Sequence, residues 1–178
     1  MKRIMIIGGS GAGKSTFARR VGAALDLPVH HLDALHFLPG WIERDVQERN
    51  AMFAEVVAGD RWVTDGNYSG TWGFRVPEAE LIIRLQIPLW RRVFRIIRRS
   101  WTLKGQTRAD LAQGCPEKFG WSTVEFLWFV IFVAGGDPMR IHRLAAPLGI
   151  PVLEFSSNKD AELWLDGVIG RIDLDNAN

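Results

Sequence analysis

The stretch Ile4-Met5-Ile6-Ile7-Gly8-Gly9-Ser10-Gly11-Ala12-Gly13-Lys14-Ser15-Thr16-Phe17 decides how the rest of the chain is read. Ile4 to Ile7 are apolar on both faces of an extended segment, as in a buried strand, and Gly8-Gly9 stops it. Phe17, Val21, Ala24 and Leu25 then recur at helical spacing, which predicts a helix from Lys14 to Leu25. Between them, Gly8 to Ser15 matches G-x-x-x-x-G-K-[ST]. Glycines permit a tight turn whose N–H groups face inward at anionic oxygens, and the helix adds its positive N-terminus. The loop is therefore expected to hold the phosphates of ATP with Mg²⁺ through Gly8, Gly9, Ser10, Gly11, Ala12, Gly13, Lys14, Ser15 and Thr16. Lys14 offers a cation to the β and γ phosphates, and Ser15 a hydroxyl to the metal.

Outward from this motif the chain reads as alternating strands and helices. Val29 to Leu32, Trp62 to Thr64, Leu81 to Ile87 and Val152 to Phe155 are the further predicted strands. Helices are predicted at about Asp45 to Ala58, Leu89 to Leu103, Ser122 to Ala134, Pro138 to Ala146 and Ala161 to Ile169, with a loop around Pro39-Gly40 and a polar excursion from Lys104 to Trp121. Such alternation implies an α/β fold with a parallel sheet covered on both faces. Ligands of such sheets sit at the carboxyl ends of the strands.

The length of 178 residues suits one domain, and 47% hydrophobic residues exclude a disordered chain. A single cysteine, Cys115, excludes an intrachain disulfide, and no apolar run reaches membrane-spanning length, so a cytoplasmic protein without a membrane partner is expected. The net charge of +2 is unevenly spread: eight basic and no acidic residues lie between Leu81 and Ala109, leaving the remainder net acidic. A local positive field of this kind suits a polyanionic ligand held at one place.

The phosphate loop, His31-Leu32-Asp33, Pro39-Gly40-Trp41, Asp65-Gly66-Asn67-Tyr68-Ser69, Thr107-Arg108 and Gly114-Cys115-Pro116-Glu117 together resemble small P-loop kinases of the adenylate kinase and shikimate kinase type. The resemblance is nearer still to bacterial kinase-like proteins labelled adenylate kinase or DNA topology modulation protein. It implies a three-layer α/β/α P-loop NTPase fold over residues 1–178. The five parallel strands would run in the order 2-3-1-4-5, with an acceptor-binding segment at about 33–58 and a lid after strand four at about 104–121. It also implies that Asp65 orients magnesium-bound water and joins Ser15 at the metal, and that Asp33 contacts an acceptor hydroxyl. Arg75, Arg108 and Arg140 would face the acceptor or the transferred phosphoryl group, and Ser156 to Lys159 would lie beside the adenine. Each has a structural alternative: a turn at Asp65, a cap at Asp33, surface positions for the arginines. Adenylate kinases follow Asp-Gly with Phe-Pro-Arg, whereas Asn67-Tyr68-Ser69 stands here, which counts against AMP as the acceptor. His30, His31 and His36 have no cysteine beside them and only Asp33 as a nearby carboxylate, which counts against zinc.

On a helical wheel at about 100° per residue, Arg91, Arg92, Arg95, Arg98 and Arg99 share an arc of about 120°. Trp90, Val93, Phe94, Ile96, Ile97 and Trp101 fill the other side, which is read as the core face. The arginine arc has three readings: a clamp on nucleotide phosphates, a nucleic-acid contact, or a solvated face. Phe126 to Ala134, apolar all round, is read as a buried helix, with an oligomer interface as the alternative. The function expected from these readings is ATP-dependent phosphotransfer to a small hydroxyl- or phosphate-bearing acceptor, nucleosides and nucleotides included, by a monomer or homodimer. Lys14, Asp33, Asp65, Arg75, Arg108 and Arg140 would carry the chemistry. The alternative is an ATP-binding regulator that contacts DNA through the basic helix.

Overall fold

Apolar residues on both faces of four short segments force those segments inside a sheet. The computed structural model describes residues 1–133 and 137–176. Strand β1 (Arg3–Gly8) leads into α1 (Lys14–Leu25), followed by β2 (Val29–His31) and a short helix α2 (Leu32–His36). A hairpin of β3 (Phe37–Leu38) and β4 (Ile42–Glu43) precedes α3 (Val46–Val57) and β5 (Trp62–Asp65). Then come α4 (Trp72–Arg75), β6 (Leu81–Leu85), α5 (Leu89–Thr102), α6 (Trp121–Trp128), α7 (Arg140–Ala145), β7 (Val152–Phe155) and α8 (Asn158–Asn176).

The main sheet runs β2-β5-β1-β6-β7 and every pairing in it is parallel. Leaving out the hairpin, this is the order 2-3-1-4-5. Alternation along β1 sends Ile4 and Ile6 into one core layer with Phe17, Val21, Ile83 and Leu165, and Met5 and Ile7 into another with Trp62, Trp72, Ile82 and Ile141. Helices α1 and α8 therefore cover one face, and α4 and α7 the other, giving three layers. Asp45 caps α3 by accepting from the backbone N–H of Gln47 and Glu48, and those bonds lower its pKa.

Four features differ from the sequence reading. The Pro39-Gly40 loop is the turn of a hairpin, made possible by positive φ at Gly40 (83°) and Trp41 (67°). Strand two stops at His31, so Asp33 lies in the first turn of α2.

Helix α5 is turned the opposite way from expectation. Of its proposed core face only Ile96 is buried, whereas Trp90, Phe94 and Trp101 are 68%, 61% and 70% exposed. The polar arc wins the inner side because the end of β6 carries this helix over the phosphate loop. There Arg92 and Arg95 find backbone carbonyls, and Arg99 finds a carboxylate.

The helix expected from Ser122 is α-helical to Trp128 and continues as one wider π-type turn through Val133. It is not a buried core helix: Val130 is buried, but Phe126, Trp128, Phe129, Ile131 and Phe132 are exposed. Ala134 and the expected Gly135-Gly136 break lie outside the described residues. Among the described residues no helix is long and apolar enough to cross a membrane.

Candidate active site

The phosphate loop folds as its glycines require. Gly11 and Gly13 take φ values of 80° and 92°, in the left-handed region that a Cβ disfavours. Lys14 Nζ donates to the carbonyl of Gly9 at 3.3 Å. Burial lowers its pKa, and the charges of Asp33 and Asp65 oppose that shift. From outside the loop, Arg92 Nε donates to the Ser10 carbonyl at 2.9 Å. Asn158 Nδ2 and Arg95 Nη1 both reach the Ala12 carbonyl, at 3.0 and 3.4 Å. These bonds fix the peptide planes of the loop before any ligand arrives.

Two cavities meet at this loop. The smaller, about 640 Å³, lies between Lys14, Ser15 and Thr16 on one side and Arg95, Arg98, Arg108 and Asp110 on the other. The larger, about 1200 Å³, is walled by Phe37, Trp41, Tyr68, Trp72 and the exposed Phe126 and Phe129, with Arg84 and Arg140 at its edge. Ser10, Lys14, Asp33, Arg99, Arg108 and Phe126 border both. Asp33 accepts a hydrogen bond from the Tyr68 hydroxyl at 2.7 Å.

Asp65 borders neither cavity. It is buried, and its Oδ1 lies 2.6 Å from His31 Nδ1. Burial works against the protonated imidazole, but the hydrogen bond and charge of Asp65 prevail and raise the His31 pKa. Arg75 corrects the sequence reading. It is fully buried, lines neither cavity, and donates to the carbonyls of Gly66 and Asn67 and to the Thr71 hydroxyl. Burial lowers its pKa to about 10, although the nearby Asp65 charge opposes the shift. Its work is to brace the loop after β5, not to meet a ligand.

The segment between α5 and α6 is docked over the site. Glu117, itself buried, forms ion pairs with Arg99 and Arg108: its Oε1 lies 3.0 Å from Arg99 Nε and 2.8 Å from Arg108 Nε, without the alignment of a hydrogen bond. Arg108 also pairs with Asp110 at 2.9 Å. Burial raises the Asp110 pKa, but Arg108 and the neighbouring Ser15 hydroxyl outweigh it, and the net shift is downward. The same segment is tied to the β3–β4 hairpin: Trp41 Nε1 donates to Pro116 O at 2.8 Å, and the Gly40 N–H to Gly114 O at 2.7 Å. A hard divalent cation fits this donor set, since the Ser15 hydroxyl and the Asp110 carboxylate are oxygens beside a phosphate cradle.

Of the residues singled out from sequence, Lys14, Ser15, Asp33 and Arg108 come together, and Arg140 reaches the larger cavity with its guanidinium 5.8 Å from the Trp72 ring. Asp65 stands behind His31, and Arg75 is inside the protein. Sequence reasoning gave no role to Tyr68, His31, Asp110 or Glu117, and it set Asn158 beside the adenine, whereas its side chain donates to the Ala12 carbonyl of the phosphate loop. The His31-Leu32-Asp33, Asp-Gly-Asn-Tyr and Gly-Cys-Pro-Glu segments held a signal for three of them, and Asp110 had none.

No protein-family profile and no curated protein sequence matches this chain. Solved structures do. A shikimate kinase from Acinetobacter baumannii, solved in complex with shikimate, matches with a TM-score of 0.55 at 15% identity over 99% of this chain and 94% of that one. A shikimate kinase from Bacteroides thetaiotaomicron matches with 0.55 at 18% identity over 97% and 98%. A gluconokinase from Sinorhizobium meliloti 1021 matches with 0.52 at 14% identity over 98% and 97%. The chain therefore has the fold of P-loop small-molecule kinases.

Proposed function

We propose that the protein is an ATP-dependent phosphotransferase acting on a small acceptor that bears a hydroxyl or phosphate group. The observation that carries this reading is the seam between the two cavities, where Asp33, Lys14 and Arg108 stand together. A triphosphate in the smaller cavity would end at that seam, and an acceptor in the larger one would begin there. Lys14 and the loop amides bind the phosphates, Arg108 meets charge on the transferring group, and Asp33 orients the acceptor hydroxyl. Arg140 and Arg84 suit an anionic group at the far end of the acceptor.

Mg²⁺, held by Ser15 with Asp110 and water, would neutralise the β and γ oxygens. Asp65 is committed to its pair with His31, and neither residue borders either cavity. The DNA-contacting alternative is disfavoured because Arg92, Arg95 and Arg99 are turned inward onto the loop and the lid.

The test is ADP release from Mg-ATP across a panel of nucleosides, nucleotides and small hydroxy acids. Acceptor-dependent release is expected for at least one class. Calorimetry with Lys14→Ala should show a folded protein that binds Mg-ATP at least tenfold more weakly, the scale of a lost charge-assisted contact. Unchanged affinity would remove the loop as a triphosphate site and the proposal with it.

A further inference from the structure

Tyr68 is the only tyrosine of the chain. Its backbone sits in the left-handed region, φ 32° and ψ 56°, a conformation that a residue with a Cβ adopts at a cost. Such a backbone persists where its surroundings overdetermine it. Here Arg75 donates to Gly66 O at 3.3 Å and to Asn67 O at 3.4 Å, and Trp72 Nε1 donates to Asn67 O at 2.6 Å. The Thr71 hydroxyl donates to Tyr68 O at 2.7 Å. The ring is wedged edge-on against His36 and Phe53, with centroids 5.2 and 5.1 Å away, and the Arg49 guanidinium lies 5.7 Å from its centre.

All of this bracing fixes one phenol, whose hydroxyl donates 2.7 Å to Asp33 Oδ1. Burial and the neighbouring Asp33 charge push the Tyr68 pKa up, so the group is a donor and not a base. Asp33 itself lies at the start of a five-residue helix, a mount with little stiffness of its own.

We propose that Tyr68 is the positioning residue for Asp33: its braced phenol holds one carboxylate oxygen and thereby leaves the other for the acceptor at the seam of the two cavities. This rests on the phosphotransferase reading for what Asp33 does, but not for the Tyr68–Asp33 bond. The consequence is specific. Asp33 is aimed by the segment that follows β5, so the Asp-Gly-Asn-Tyr segment serves the acceptor side through Asp33 as well as through the cavity wall it contributes.

The test has two arms. Protein labelled with ¹³Cζ-tyrosine gives a single resonance, because there is one tyrosine. It should move on Asp33→Asn and remain in place on Arg140→Ala, a substitution outside the Tyr68–Asp33 pair. An unmoved resonance in Asp33→Asn overturns the bond. In the second arm, ADP release from Mg-ATP, with water and with the acceptor panel, is compared for wild type, Tyr68→Phe, Asp33→Asn and the double variant. Tyr68→Phe keeps the ring and its packing, so Mg-ATP affinity by calorimetry should stay within about twofold while turnover falls about ten- to a hundredfold, the scale set by misplacing a reacting group. The double variant should be no slower than Asp33→Asn alone, since both act through one carboxylate. Wild-type turnover in Tyr68→Phe, or fully additive losses, would overturn the positioning role. Absence of any ADP release by the wild type, with water and with every acceptor class of the panel, would sink the phosphotransferase reading, and the resonance arm would still decide the bond.

Discussion

A Cβ placed on Gly9 would lie 2.2 Å from the guanidinium carbon of Arg92, so the arginine lies directly across the phosphate loop. Its Nε is hydrogen-bonded to Ser10 O at 2.9 Å. A side chain at Gly9 would have to push the end of the Arg92 side chain aside. Gly9→Ala should displace Arg92 and weaken Mg-ATP binding by about tenfold, the worth of roughly one charge-assisted hydrogen bond. Calorimetry reads the loss. The Gly9→Ala, Arg92→Ala double variant should bind no more weakly than the worse single variant, because both remove the same contact. Additive losses would show that the glycine serves the loop in another way.

The His31–Asp65 pair makes stability depend on pH. Its folded-state pKa is raised by Asp65, so the stabilisation is complete below the unfolded value of about 6.5 and is lost as pH rises through the folded value. Melting curves between pH 5.5 and 8.5 should show this loss in wild type and not in His31→Gln. Burial lowers the pKa of both His30 and His36. In an NMR titration His31 should therefore be the last of the three to deprotonate as pH rises. A His31 that titrates with or below the other two would rule out the charged pair.

Glu117 pins the lid. Glu117→Gln leaves Arg99 and Arg108 facing each other without their shared carboxylate, although Asp110 still pairs with Arg108. An uncompensated, partly buried cation costs up to several kcal/mol, and opening the segment is the cheapest relief. Trypsin cleavage after Arg108 should be at least tenfold faster in the variant than in wild type, with the global melting point much less affected. Equal cleavage rates would mean that the tie between Trp41 and Pro116 holds the lid without Glu117.

What the sequence makes legible here is what is local. Ile4 to Ile7, the glycines and Lys14 fix strand, loop and helix within one short window, so β1, the loop and α1 form where the motif places them. Burial of a helix face is different. The wheel separates the arginines of α5 from its tryptophans but does not say which side a neighbour takes. Here the phosphate loop offers carbonyls, and the tryptophans face out. Phe126 to Val133 poses the same problem, because apolarity alone fits a core, an interface or a cleft wall. The Arg75 reading fails for a third reason. An arginine after the Asp-Gly turn is compatible with a ligand, and nothing in sequence shows that three loop oxygens wait for it inside.

The arginine arc of α5 separates the phosphotransferase from the DNA-contacting reading. Arg92, Arg95 and Arg99 are engaged with Ser10, Ala12 and Glu117, and Arg91 lies over the Trp90 ring, 5.1 Å from its centre. Arg98 is exposed at the rim of the smaller cavity. Only Arg91 and Arg98 are thus free to meet a polyanion from outside. Each phosphate contact contributes a salt slope of about −0.9, so these two residues support a slope of about −2 and only weak, non-specific association. DNA affinity measured at several salt concentrations should accordingly be weaker than about 10⁻⁵ M at physiological salt. Arg91→Glu should leave Mg-ATP affinity within about twofold, while Arg95→Ala should reduce it, because Arg95 reaches the loop and Arg91 does not. Micromolar or tighter DNA binding at physiological salt, lost in an Arg91→Ala, Arg98→Ala double variant that still binds Mg-ATP, would overturn the assignment of this helix to the nucleotide site.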